Sequence, residues 1–92
     1  MTALILSALI TVHDEEDQLA ECLDCLAFAD EIVVLLDDCT DASKEIALRF
    51  TERLVEGAWE REGSRRNAGI DACRGQWIFE VDADERVPAA LA

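Results

Sequence analysis

One proline, four glycines and eight basic residues are all that these 92 residues hold of those kinds. So little Pro and Gly, beside 51% hydrophobic residues, excludes a low-complexity or disordered chain. The eight Lys and Arg face 21 Asp and Glu, for a net charge of −13. Nucleic acids are gripped by clustered bases, so this balance excludes a nucleic-acid partner. Any phosphate ligand must instead be received locally, by a cation or a few well-placed arginines. Most of the acids belong to a solvated surface.

Other absences narrow the reading further. The apolar stretch 2–12 has no basic flank and no small-residue cleavage site, and it is too short to span a bilayer. It reads as a buried first strand, and the expected location is cytoplasmic. No Gly-x-Gly-x-x-Gly follows it, which sets aside a dinucleotide-binding unit. Cys22-x-x-Cys25 has no second closely spaced pair to complete a zinc site, so Cys22, Cys25, Cys39 and Cys73 read as reduced thiols behaving as small hydrophobes.

What is present alternates strand and helix within one small domain. Ala3–Val12 is a near-continuous apolar run, as in a strand covered on both faces. Asp14 to Asp17 supply an N-cap and first-turn acids for a helix with Leu19, Cys22, Leu23, Leu26 and Ala27 on its inner face. A strand over Ile32–Leu36 leads through a polar turn, Asp37 to Asp41, to a helix burying Ile46, Ala47 and Phe50. A short strand over Arg53–Glu56, a helix over Ser64–Cys73 with Gly75 as its C′ residue, and a strand over Gln76–Val81 complete the pattern. Val87 to Ala92 reads as the start of another helix. Strands alternating with helices predict an α/β fold: a Rossmann-like, three-layer parallel sheet of about four strands.

In such a sheet the loops after the strands gather at one edge, where ligands bind. Three of these loops are acidic: His13 to Asp17, Asp37 to Asp41, and Asp82 to Glu85. Asp82 and Asp84, spaced i, i+2 at a strand's end, suit a hard divalent cation that also holds phosphates. Arg65 and Arg66, the one adjacent pair of bases, stand by a helix start, where free N–H groups and the helix dipole favour anions. Taken by itself that segment reads equally well as surface arginines paired to Glu60 or Glu62.

Together, Thr11-Val12-His13-Asp14-Glu15-Glu16, Leu36-Asp37-Asp38-Cys39-Thr40-Asp41, Arg66-Asn67-Ala68-Gly69 and Val81-Asp82-Ala83-Asp84-Glu85 resemble the family 2 glycosyltransferases. These are inverting, metal-dependent enzymes of the GT-A fold that use nucleotide-diphospho-sugars, and the similarity leans towards bacterial members that build lipopolysaccharide core and other surface glycans. The resemblance implies a nucleotide site of Val12, His13, Asp14, Asp37, Arg66 and Asp82. Asp37 would accept a hydrogen bond from the base, and Val12 and His13 would border it through backbone groups. Asp82 and Asp84 would hold Mg²⁺ or Mn²⁺ on the diphosphate, while Asn67 and Gly69 would fix the helix start and its packing. It implies a nucleotide-sugar donor, UDP by leaning, a saccharide or lipid-linked acceptor, and work in the cytoplasm or at the inner face of the membrane.

The chain also departs from the family. Its Asp37-to-Thr40-Asp41 turn is one residue shorter than the family's common form, and an ungapped match would put Leu36 at the base-binding position. Asp37 is preferred, because leucine accepts no hydrogen bond. Glu80 is an acid inside an otherwise apolar strand. The family's acceptor site and general base follow the Asp-x-Asp strand, so residues 1–92 are expected to be a donor-binding part that ends short of them. Two other readings remain. A phosphoacceptor domain fits poorly, since Lys44, the one lysine, comes early and on a helix. A non-catalytic nucleotide- or metal-binding module is the alternative. The last strand would leave an open sheet edge and invite a homodimer.

Overall fold

The computed structural model describes residues 5–86. Its elements run β1 (Leu6–Val12), α1 (Glu16–Asp24), β2 (Glu31–Asp37), α2 (Ser43–Leu48), β3 (Leu54–Gly57), α3 (Glu62–Ala72) and β4 (Trp77–Asp82). The strands form one sheet in the order β3-β2-β1-β4, all parallel. The expected strand–helix alternation is therefore present, as is the four-stranded α/β sheet. The helix expected over Val87 to Ala92 lies outside the described residues.

Side chains alternate across the two central strands, which explains why both read as apolar runs. Ala8, Ile10, Val12, Val34 and Leu36 join Leu19, Cys22, Leu23 and Ala47 from α1 and α2 in one core. Leu9, Val33 and Leu35 project from the other face and pack with Ala68, Ile70 and Ala72 of α3. Ile10, Leu19, Leu23, Leu26 and Leu35 are fully buried, each contributing roughly 2 kcal/mol. The exposed Lys44–Glu56 ion pair at 3.1 Å contributes at most about 1 kcal/mol. The two apolar layers hold the fold.

Four local expectations differ from the structure. Helix α1 ends at Asp24, so Leu26 is buried from the following turn and Ala27 is exposed. Helix α3 starts at Glu62, two residues before Ser64, because Gly63 is accommodated in its first turn. Gly75 has no positive φ and is not a left-handed C′ residue. Its lack of a side chain serves close approach: a Cβ there would lie 2.7 Å from Ser7 Oγ and 2.8 Å from Ser7 N. The N-cap of α1 is Glu15 rather than Asp14, with no side-chain cap of its own.

Glu31, buried at the amino end of β2, draws three segments together. Ser7 Oγ donates to it at 2.6 Å, and Arg74 donates from its backbone N–H at 2.6 Å and from Nε at 2.9 Å. Ser7 Oγ in turn accepts from Gly75 N–H at 2.8 Å, so β1, β2 and the α3–β4 link meet on one carboxylate. Burial pushes the Glu31 carboxyl up, but the hydrogen bonds from Ser7 and Arg74 outweigh it and hold the group below its ordinary 4.5. A depressed folded value stabilises the protein fully above the unfolded value and is lost as pH falls through the folded one. Glu31→Gln is therefore expected to cost about 2 kcal/mol at pH 7 by urea denaturation. The gap from wild type should close as pH drops below 4.5. Equal stability at pH 7 would contradict this role.

Candidate functional site

The chain runs β1 to β2 to β3 in one direction and then crosses back to place β4 on the other side of β1. Helices α1 and α2 pack on one face of the sheet and α3 on the other. Between β1 and β4 the order reverses, and this leaves a crevice at the carboxyl ends. Thr11 of β1 lies in register with Asp82 of β4 at its floor.

The acids after β1 and β2 are largely engaged with each other's backbones. Asp14 Oδ1 accepts the N–H groups of Thr40 at 2.7 Å and Asp41 at 3.1 Å. In return Asp41 accepts from Glu16 N–H at 3.1 Å, and Glu16 accepts from Ala42 N–H at 3.0 Å. Each loop thus helps cap the helix of the other, and Asp41 also accepts from Ser43 N–H at the start of its own helix at 2.9 Å. Both turns need φ near 50° at a non-glycine residue, Asp14 and Asp38, a conformation aspartate tolerates better than most. Hydrogen bonds to Asp41, led by those from Ser43, outweigh its desolvation and hold its carboxyl low.

Asp37, at the end of β2, is buried with both oxygens in use. Oδ1 accepts from Trp59 N–H at 3.2 Å, and Oδ2 from Arg65 Nη1 at 3.1 Å. Its carbonyl is 2.7 Å from His13 Nδ1. A carbonyl only accepts, so Nδ1 carries the proton and Nε2 is left free. The Asp37 contact, against a smaller desolvation and with help from Asp14, Asp37 and Asp38, raises the His13 pKa above 6.5.

At the other end, Glu85 closes the turn after β4. It accepts from Asp82 N–H at 2.8 Å and donates its own N–H to Asp82 O at 2.9 Å. Desolvation, then Glu85 and Asp84, push the Asp82 carboxyl up, with Arg65 opposing them. No cluster of three or more metal-ligating side chains occurs among the described residues. The Asp82–Asp84 pair nonetheless fits a hard cation: Mg²⁺ needs only one or two carboxylates beside waters and phosphates. The repulsion felt by Asp82 is what such a cation relieves.

Three adjoining hollows connect these ends. One of about 320 Å³ is lined by His13, Asp37, Asp38 and Trp59. The next, about 210 Å³, shares His13 and is lined by Thr11, Arg65, Asp82 and Asp84. The last, about 170 Å³, shares Thr11, Arg65 and Asp82 and continues to Arg66 and Glu80. They make one groove with an aromatic and carboxylate end, an arginine at its middle and an acidic end.

The residues expected from sequence are distributed along it. Asp37, His13, Asp82 and Asp84 line the groove. Val12 has its side chain in the core and offers only backbone, its carbonyl 3.4 Å from the Cys39 thiol. Asp14 has its carboxylate bound to the neighbouring loop. Arg66 lines the far end and pairs with Glu80 at 3.4 Å, which accounts for the acid within β4. Arg65 is the arginine that reaches Asp37. The sequence holds no signal that separates it from Arg66: Gly69, packed against Leu9 and Leu35, lies four residues beyond one and three beyond the other, and both spacings share a helix face. Trp59 engages Asp37 through its backbone N–H, for which the sequence holds no signal. The four cysteines are free; Cys22 is buried, and burial raises its thiol to about 11. No helix among the described residues is long and apolar enough to cross a membrane.

A profile of the family described as Glycosyl transferase family 2 matches residues 7–91. The lipopolysaccharide core biosynthesis glycosyltransferase LpsC of Rhizobium meliloti is 29% identical over 96% of this chain and 34% of its own length. The uncharacterized glycosyltransferase YibD of Escherichia coli is 33% identical over 89% of this chain and 26% of its own. Among solved structures, glucosyl-3-phosphoglycerate synthase from Mycobacterium tuberculosis with UDP superposes with a TM-score of 0.78 at 20% identity, over 92% of this chain and 35% of that one. That likeness is one of fold. The chain spans about a third or less of the length of these relatives.

His13 is the one histidine, so its titration can be read without assignment. Nitrogen-15 NMR should give a midpoint above 6.5 and a neutral tautomer protonated at Nδ1. A neutral ring protonated at Nε2 would contradict the bond to Asp37.

Proposed function

The chain belongs to glycosyl transferase family 2, and on that premise we propose that its groove binds a nucleotide-diphospho-sugar, with UDP as the nucleotide. One observation carries the reading: the groove joins Asp37 to Asp82 and Asp84, with His13 and Arg65 between them. A nucleobase needs flat walls and a fixed acceptor at one end, and a diphosphate needs cationic partners at the other. Trp59, His13 and Asp37 suit the first need. Arg65, Arg66 and a cation held by Asp82 and Asp84 suit the second. Structures of the mycobacterial synthase with UDP and Mg²⁺, and with UDP and Mn²⁺, support the same ligands here.

In this proposal Asp37 exchanges a present hydrogen bond for one from the base, Val12 and Asp14 border the nucleotide through backbone groups, and Arg65 turns from Asp37 towards the phosphates. Mg²⁺ or Mn²⁺, when bound, would offset the charge that develops on the departing diphosphate. Inverting transfer to a saccharide or lipid-linked acceptor, with a general base beyond the Asp82–Asp84 turn, belongs to the complete enzyme. The similarity to LpsC, a lipopolysaccharide core biosynthesis glycosyltransferase, supports surface-glycan synthesis as its setting, and the cytoplasm or the inner face of the membrane is proposed as its location.

Calorimetric titration with UDP, GDP and ADP, with and without Mn²⁺, tests the reading. UDP is expected to bind more tightly with Mn²⁺, and the gain should vanish in Asp84→Ala. Asp37→Asn should weaken metal-free UDP binding by about tenfold. A gain from Mn²⁺ that survives Asp84→Ala would remove the Asp82–Asp84 pair as the metal end.

The homodimer is proposed through β4, which pairs only with β1 among the described residues and leaves Trp77 70% exposed. Each copy carries −13, so association should strengthen with salt. Light scattering should show mass above the monomer near 1 M NaCl, where the Debye length is about 3 Å. A monomer at all salt and protein concentrations would dismiss the dimer.

A further inference from the structure

We propose that Arg86 is a positioning residue that fixes the turn carrying Asp82 and Asp84 against α1, so that the two carboxylates face one cation. The inference rests on the reading of that pair as the metal end of the donor site. Beyond β4 the turn has little to orient it. The two bonds between Asp82 and Glu85 close the turn on itself without tying it to the rest of the protein. Ala83, buried in the core, anchors it at one point, and the Cys22 thiol makes a long contact of 3.7 Å to Asp82 O.

The Arg86 guanidinium supplies the missing link. Nη1 donates to Ala83 O at 3.0 Å and to Glu85 O at 2.8 Å, while Nη2 donates to Gln18 O on α1 at 3.2 Å. Nε lies 3.5 Å from Glu21 Oε1, also on α1. One rigid fork therefore joins two carbonyls of the turn to a carbonyl and a carboxylate of the helix. An ammonium cannot reproduce that planar spread of donors.

The charge of Arg86 makes the point sharper. A positive group beside a cation site opposes the cation, so charge alone would count against Arg86 there. Its contacts with the turn are to carbonyl oxygens, which leave the Asp82 and Asp84 charges unneutralised, and its ion pair goes to Glu21 instead. Geometry and charge thus predict opposite effects when the residue is changed. Partners of metal ligands commonly influence affinity about tenfold or more without touching the metal.

The test is Mn²⁺ titration in the presence of saturating UDP on wild type, Arg86→Gln, Arg86→Lys and Asp84→Ala. Melting curves are recorded in parallel, and every titration is run well below the transition. Arg86→Gln and Arg86→Lys should each weaken Mn²⁺ binding by about tenfold, while UDP binding without metal stays at the wild-type value. A structural role alone would lower the melting temperature and leave the Mn²⁺ affinity of the folded protein unchanged. Mn²⁺ binding as tight as or tighter than wild type in Arg86→Gln overturns the proposal, and so does wild-type affinity in Arg86→Lys. If Arg86→Gln does not fold, Arg86→Lys decides by the same criterion. Mn²⁺ binding that persists in Asp84→Ala overturns the metal-end reading itself, and this proposal with it; its loss there with unchanged Arg86 variants removes Arg86 alone.

Discussion

Four strands that run the same way deliver every following loop to one edge of the sheet. Here that edge also receives ten of the chain's 21 acids: Asp14 to Asp17, Asp37, Asp38 and Asp41, and Asp82, Asp84 and Glu85. Crowding carboxylates at one edge is costly unless each finds a donor. Backbone N–H groups at helix starts are the nearest supply, and the β1–α1 and β2–α2 loops use them reciprocally. Asp14, Glu16 and Asp41 are held by five backbone bonds of 2.7–3.1 Å, none of them within a loop's own helix start except Asp41 to Ser43. The same acidity that suggests a ligand site is therefore first a means of holding two loops in register.

The carboxylates at this edge differ in how their charge is met. Asp14 and Asp41 receive paired N–H donors. Asp37 receives Arg65 and the Trp59 amide. Asp82, by contrast, is pushed up by desolvation and by Glu85 and Asp84, with only Arg65 acting the other way. A surface that places like charges together without local partners is poised for a partner from outside. The reversal of strand order between β1 and β4 puts that unmet charge beside a crevice rather than on an open face.

The sheet was legible because its determinants are long and periodic. Two apolar strands between polar turns, and helices of the right length between strands, leave few alternatives to a parallel α/β sheet. The strand-end placement of Asp37 and Asp82 was legible for the same reason: each ends the strand that carries it. Arginine assignment was harder, since Arg65 and Arg66 are about 100° apart on a helix and the start of α3 moved by two residues. Gly69 marks the face of α3 that meets the sheet, but at i+4 from Arg65 and i+3 from Arg66 it does not separate the two. Asp14 shows a different limit. Its acid-rich context suits an N-cap, a ligand contact and a loop staple equally, and it is the bonds from Thr40 and Asp41 N–H to its carboxylate that show the third. Backbone donors such as Trp59 N–H leave no mark on side-chain pattern at all.

The two ends of the sheet divide the work between them. At the amino ends, Glu31 is buried and its carboxylate is met by Ser7 and Arg74. At the carboxyl ends, the carboxylates are partly met, and the turn after β4 is joined to α1 by the Arg86 guanidinium beside the long Cys22 contact and the packing of Ala83. Stability is thus concentrated away from the groove, where tight satisfaction has no functional cost. The groove keeps charges that a core would not tolerate. From the Glu31 junction β1 leads to Thr11, β2 to Asp37, and the Arg74–Gly75 link into β4 and Asp82. The floor of the groove thus rests on the same strands that the Glu31 junction ties together at their other end.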